Sequence, residues 1–182
     1  KHCRIVIIAY TENFSIHTVV IMSRFSQYAR SAAKLLTERH HTVSVAESST
    51  GGLIAASLLS LPGASRYFMG GTVIYTIKSR RAFLDLDRER IKQLKPLTEE
   101  MVLEFARAAR AKLNTTWGIA ELGVAGPGGT PYSDATGICV IAISGPGDAS
   151  VTVKTQSDDR EENMEVFTDR ALQLFVQTLV NV

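Results

Sequence analysis

The chain is poor in the residues that build disulfide-stapled or metal-centred folds. Its two cysteines, Cys3 and Cys139, lie far apart without C-x-x-C spacing, and its four histidines (His2, His17, His40, His41) form no H-E-x-x-H or related cluster. Neither a disulfide framework nor a structural metal is therefore expected. An excess of one charge is also missing. The 20 basic and 18 acidic residues are interspersed and leave a net charge of +2, so electrostatics give no case for nucleic acid. No apolar run is long: residues 5–10 cannot span a bilayer, polar residues separate them from 18–22, and His, Glu and Asn interrupt what a signal peptide would need. The expectation is a protein of the reducing cytoplasm with no membrane partner. Internal repeats and low-complexity tracts are lacking too, as are a G-x-x-x-x-G-K-[ST] phosphate loop and a G-x-S-x-G elbow.

What is present organises itself around residues 42–60. A β-branched run ends in Glu47-Ser48-Ser49-Thr50-Gly51-Gly52 and passes into an apolar segment long enough for a buried helix. Strand, tight turn and helix in that order gather unpaired N–H groups and a helix dipole at one point, where an anion or a developing oxyanion is stabilised. Glycines allow close backbone approach, and a serine on the turn can be presented as a nucleophile. The plainer alternative is that Ser49 or Thr50 only caps the helix.

The motif Ala46-Glu-Ser-Ser-Thr-Gly-Gly52 resembles the A-E-S-C-T-G-G signature of the CinA C-terminal domain family, the competence/damage-inducible proteins that include bacterial nicotinamide mononucleotide deamidase. Residues 68–75 resemble its R-G-F-V-T-Y segment, with Tyr75 on the tyrosine. Residues 125–131, Ala-Gly126-Pro127-Gly-Gly129-Thr130-Pro, resemble its G-I-A-G-P-x-G-G loop, and 157–160 its G-D-R. The resemblance covers roughly residues 25 to 180. It implies that Ser48 attacks a carboxamide, with the oxyanion held by N–H groups around Thr50, Gly51 and Gly52 and with Glu47 at the same site. Tyr75 would assist proton transfer or orient the substrate. Gly126, Pro127 and Gly129 would shape the pocket, and Arg160 would meet the substrate's phosphate or carbonyl, against the alternative of pairing with Glu161 or Glu162. The implied ligand is a small nucleotide such as nicotinamide mononucleotide, with no metal or organic cofactor and with a homo-oligomer as a possible assembly.

The chain departs from the family at several points. The family's activating lysine follows the tyrosine by five residues, where this chain has Arg80. Lysine needs a pKa drop of roughly 3 units, about 4 kcal/mol, to act as a base near neutrality, which burial can supply. Arginine starts above about 12.5, so neutralising it costs roughly 8 kcal/mol or more. Arg80 can lower a serine pKa by its charge or hold a phosphate, but it cannot be the base. Lys78 is the substitute, yet on a helix capped by Thr76 it lies roughly 200° around the axis from Arg80. Thr130, Asp134 and Met164 are further departures. They favour a second reading, a non-catalytic nucleotide-binding module.

With 182 residues and 45% hydrophobic content, one core suffices. Strands near 43, 72, 118, 138 and 151 alternate with helices and finish in a hairpin, which predicts an α/β fold: a single three-layer α/β/α domain with a mixed, partly parallel sheet. Tyr28, Ala32, Leu35 and Leu36 predict a helical stripe before it, His40-His41 a solvated helix end, and Thr98 the cap of a helix carrying Val102, Phe105, Ala109 and Leu113. Residues 1–24 are expected to be an N-terminal extension of unknown role, and 25–182 the family domain.

Overall fold

The computed structural model describes residues 26–129 and 135–182; the expected N-terminal extension, Thr130 and Asp134 lie outside them. Five strands form one sheet: β1 (Val43–Glu47), β2 (Phe68–Val73), β3 (Trp117–Val124), β4 (Ile138–Ser144) and β5 (Ala149–Lys154), in the order β2-β1-β3-β4-β5. β1 runs parallel to both β2 and β3, while β4 and β5 add antiparallel strands through the expected hairpin. Met69 forms a bulge where the β1–β2 register shifts, next to Gly70. The sheet is mixed, as the alternation of elements requires.

Side-chain size decides how the two faces are covered. Val43, Val45, Trp117, Ile119, Ile141 and Ile143 point to one face, where α1 (Tyr28–Glu38), α2 (Leu53–Leu59) and α6 (Arg160–Val180) bury them. On the other face the strand partners Ala46, Ala120 and Ala142 lie side by side across β1, β3 and β4. That small-residue row lets α5 (Glu99–Leu113) settle close, packing Val102, Phe105 and Ala106 onto the sheet, and the Ser44 hydroxyl donates to the Ala109 carbonyl at 2.9 Å. Two short helices, α3 (Ile77–Phe83) and α4 (Arg88–Gln93), lead into it. Helices on both faces of a mixed sheet make the expected three layers.

Local signals set the helix ends. Thr98 caps α5, Asp159 caps α6, and Thr76 with Ser79 forms a reciprocal capping box on α3. α1 buries Ala29, Ala32 and Leu36, while Tyr28 and Leu35 of the predicted stripe pack at its margin. His41 is not merely a solvated helix end: its Nδ1 accepts the Trp117 indole N–H at 3.1 Å, which satisfies a donor buried under α6.

Helix and sheet lie close together at Gly118, where a Cβ would sit 2.1 Å from the Ala106 carbonyl oxygen of α5. Because the obstructing atom is backbone, Gly118→Ala should destabilise the domain by about 1–3 kcal/mol or more, read as a lowered urea midpoint with an unchanged m-value.

Candidate active site

The three parallel strands deliver their carboxyl ends to one edge of the sheet, the location where open α/β sheets bind ligands. β1 runs into the turn of Ser48 to Gly52, β2 into Tyr75 and α3, and β3 into the Gly126 loop. Between them lies a cavity of about 300 Å³ lined by Ser48, Ser49, Tyr75, Arg80, Gly126 and Arg160, with Gly128 and Gly129 at its mouth. That volume is at the low end of small-molecule sites.

The turn is held by two buried carboxylates. Glu47 is 1% exposed. Its Oε2 accepts from the Thr50 hydroxyl at 2.7 Å and from the N–H groups of Gly52 and Ile54 at 3.0 Å, and its Oε1 accepts from the Ala55 N–H at 2.8 Å. It is therefore the anion at the start of α2, which has no side-chain cap of its own and begins at a left-handed Gly52. Glu121, on β3 and fully buried, meets the same turn from the other side. Its Oε1 accepts from the Ser48 N–H, from the Thr50 N–H at 2.8 Å and from the Thr50 hydroxyl at 2.9 Å, and its Oε2 accepts from the Ser49 hydroxyl at 2.7 Å.

These bonds correct the expected anion cradle. The N–H groups of Thr50 and Gly52 are already paired with the protein's own carboxylates, and that of Gly51 with the Ser48 carbonyl at 3.3 Å. No oxyanion can be assigned to them in this arrangement. Glu47 and Thr50 lie beneath the turn and not on the cavity wall, and Gly51 and Gly52 serve its geometry: both have positive φ, and Met164 closes over Gly51, where a Cβ would be 3.1 Å from its methyl carbon. The anion that a strand–turn–helix junction attracts is built into the chain.

Electrostatics follow from burial. Desolvation pushes the Glu47 carboxyl above its ordinary range; the bonds from Thr50, Ala55 and Ile54 oppose this and the nearby Glu121 charge adds to it. The Thr50 hydroxyl faces an oxygen of each carboxylate, at 2.7 Å from Glu47 and 2.9 Å from Glu121. Burial, and then Glu121, push the Cys139 thiol well above its usual range and keep it inert.

The cations divide as the helix geometry requires. Arg80 lines the cavity, donates from Nε to the Ile74 carbonyl at 3.2 Å and lies over the Phe105 ring. Lys78, two residues earlier on α3, is exposed and not part of the cavity wall. Arg160 does not pair with Glu161 or Glu162: it reaches across to the Gly126 carbonyl at 2.9 Å and to the Tyr75 hydroxyl at 3.4 Å, with its guanidinium 6.0 Å from the centre of the Tyr75 ring. Pro127 is exposed and stands just outside the wall formed by its glycine neighbours.

The model of the CinA C-terminal domain matches residues 25–179. The chain belongs to the CinA C-terminal domain family. It is 36% identical over 135 residues to a CinA-like protein of Prochlorococcus marinus (strain MIT 9301), covering 74% of this chain and 32% of that one. A CinA-like protein of Gloeobacter violaceus is 35% identical over 155 residues, 84% of this chain and 36% of the relative. The chain thus spans about a third of the length of these curated relatives. Among solved structures, a CinA-superfamily protein of Klebsiella pneumoniae superposes with a TM-score of 0.79 at 22% identity, covering 86% of this chain and 98% of that one. The competence/damage-inducible protein CihA of Agrobacterium tumefaciens gives 0.77 at 25% identity, with 88% and 98% covered.

Glu121 is the member of this CinA-family site that the sequence reading missed. Its one signal was a lone acid inside the apolar run of β3, since a buried charge must have partners. Glu47 gives a prediction with a definite sign. Its folded pKa is raised above the ordinary value of 4.5, so the stability it contributes is greatest below that value and is lost as pH rises through the raised one. The stability difference between wild type and Glu47→Gln, from urea unfolding, should therefore narrow as pH goes from about 4 to 8.

Proposed function

We propose that this pocket hydrolyses the carboxamide of a nicotinamide nucleotide, converting nicotinamide mononucleotide and water to nicotinic acid mononucleotide and ammonia. The observation that supports this best is the composition of the cavity wall. The described lining residues include two arginines, a tyrosine and two serines, and no acidic residue is among them. Such a wall suits a phosphate-bearing substrate with a neutral electrophile, because guanidinium binds phosphate through paired charge-assisted bonds. The family pattern puts attack at Ser48. Arg160 is aimed by its bonds to the Gly126 carbonyl and the Tyr75 hydroxyl, which reduces the entropy lost when it binds an anion.

The reading carries a cytoplasmic location and a homo-oligomer with it. Exposed Met69 and Val73 on edge strand β2 supply apolar surface for such an assembly. A second reading, a nucleotide-binding module without turnover, is favoured by Arg80, which occupies the place of the family's activating lysine while Lys78 stands outside.

Purified protein should release ammonia from nicotinamide mononucleotide, and the Ser48→Ala/Ser49→Ala double variant should release none. Arg160→Ala should raise KM by roughly tenfold or more, the loss of about 1.5–3 kcal/mol from one charge-assisted hydrogen bond. Ligand-induced thermal stabilisation with no ammonia would select the binding module.

A further inference from the structure

Strand β2 and helix α3 present a run of apolar side chains to solvent. Met69 and Val73 on β2, and then Tyr75, Ile77 and Phe83, are each between 42% and 55% exposed. β2 is an edge of the sheet, so among the described strands its outer side has no neighbour. α3 buries none of its seven residues, and a helix that short is marginal in water by itself. Its capping box and the Arg80 bond to the Ile74 carbonyl hold it, but no buried stripe ties it to the core.

This open face is also a wall of the cavity. Tyr75 and Ile77 both line it, yet Tyr75 is 55% exposed and Ile77 49%. Small-molecule sites bury most of their ligand, so a wall of this kind lacks its outer cover. The charges beside it come in two signs. Lys78 and Arg81 are neighbours on α3, three residues apart, and Glu161 and Glu165 are neighbours on α6, four apart; all four are exposed. The starts of the two helices meet where Arg160 donates to the Tyr75 hydroxyl at 3.4 Å. Among the described residues, however, no ion pair joins the basic pair to the acidic one within the chain. A face with both signs side by side is self-complementary: turned about a two-fold axis, its basic half meets the acidic half of a copy. That favours a second copy over a partner carrying charge of one sign.

We propose that a second copy of this chain docks on the β2 and α3 edge about a two-fold axis, with Lys78 and Arg81 of each protomer against Glu161 and Glu165 of the other, and closes the cavity over Tyr75 and Ile77. The proposal rests on the homo-oligomer carried by the amidase reading and gives it a place and a role. Burial of Met69, Val73, Ile77 and Phe83 supplies the attraction, while the charge pairs set the register. The cavity of a single chain is then an incomplete site. Covering it lowers the local dielectric, which strengthens the hold of Arg160 on an anion.

The test compares the full chain with Lys78→Glu/Arg81→Glu and with Glu161→Lys/Glu165→Lys by sedimentation velocity. The wild type is expected to be a dimer, and each reversal alone should weaken it by about a hundredfold or more, because like charges then face each other. An equimolar mixture of the two variants should restore the dimer, since both contacts of the mixed pair are again of opposite sign. Amide hydrogen exchange of wild-type residues 73–83 should slow as the dimer forms, a readout that stands even if a variant fails to fold. A monomeric wild type, a dimer indifferent to both reversals, folded variants that stay monomeric when mixed, or a dimer with 73–83 unprotected would overturn the docking. Ammonia release measured on the same samples separates the two claims. Turnover by a monomeric wild type removes the docking and leaves the amidase, whereas a dimer rescued by mixing but without turnover removes the amidase and leaves the docking.

Discussion

Two carboxylates buried under one turn are the constraint on which the rest of the site depends. A charge in the interior is costly unless it is paired and hydrogen-bonded, and here the pairing is with backbone N–H groups and hydroxyls of a five-residue segment. That requirement fixes the segment. Each of Ser48, Thr50 and Gly52 has its N–H directed at one carboxylate or the other, so the turn has almost no freedom left. A rigid turn keeps the serine hydroxyls at the cavity wall without help from a ligand.

The same arrangement changes what the helix start can do. A dipole and a set of unpaired N–H groups would ordinarily draw an anion from solution. Glu47 fills that place from within, and the cationic side chains of the cavity lining are Arg80 and Arg160, from other elements. The two carboxylates are thus buried beneath the turn, while the guanidiniums belong to the cavity lining. The alanine row that lets α5 lie close to the sheet, and the bulky residues facing α1, α2 and α6, hold the strand ends that carry both walls.

Much of the architecture was legible from local pattern. Apolar strands, the Thr76 and Thr98 caps and the hairpin before residue 150 all specify themselves through neighbours close in sequence. The relation of Lys78 to Arg80 was legible too, because a capped helix fixes the angle between positions two apart. The bonding of the turn was not. Whether a turn N–H is open or taken depends on a side chain elsewhere, and Glu121 lies 71 residues from Thr50. The reach of Arg160 to the Gly126 carbonyl has the same character, since nothing within α6 indicates that its first residue bonds a loop 34 residues earlier.

The sequence by itself determined the elements, their order, the family motif and the presence of a serine turn followed by a helix, because these rest on periodicity, capping and short-range turn chemistry. Only the tertiary structure decided which groups the turn turns toward. Parallel pairing of β1 with β3 brought a strand carboxylate beneath the serines, and that contact, set by sheet order and not by any local signal, determines which hydroxyl bonds a carboxylate and which N–H groups are already occupied.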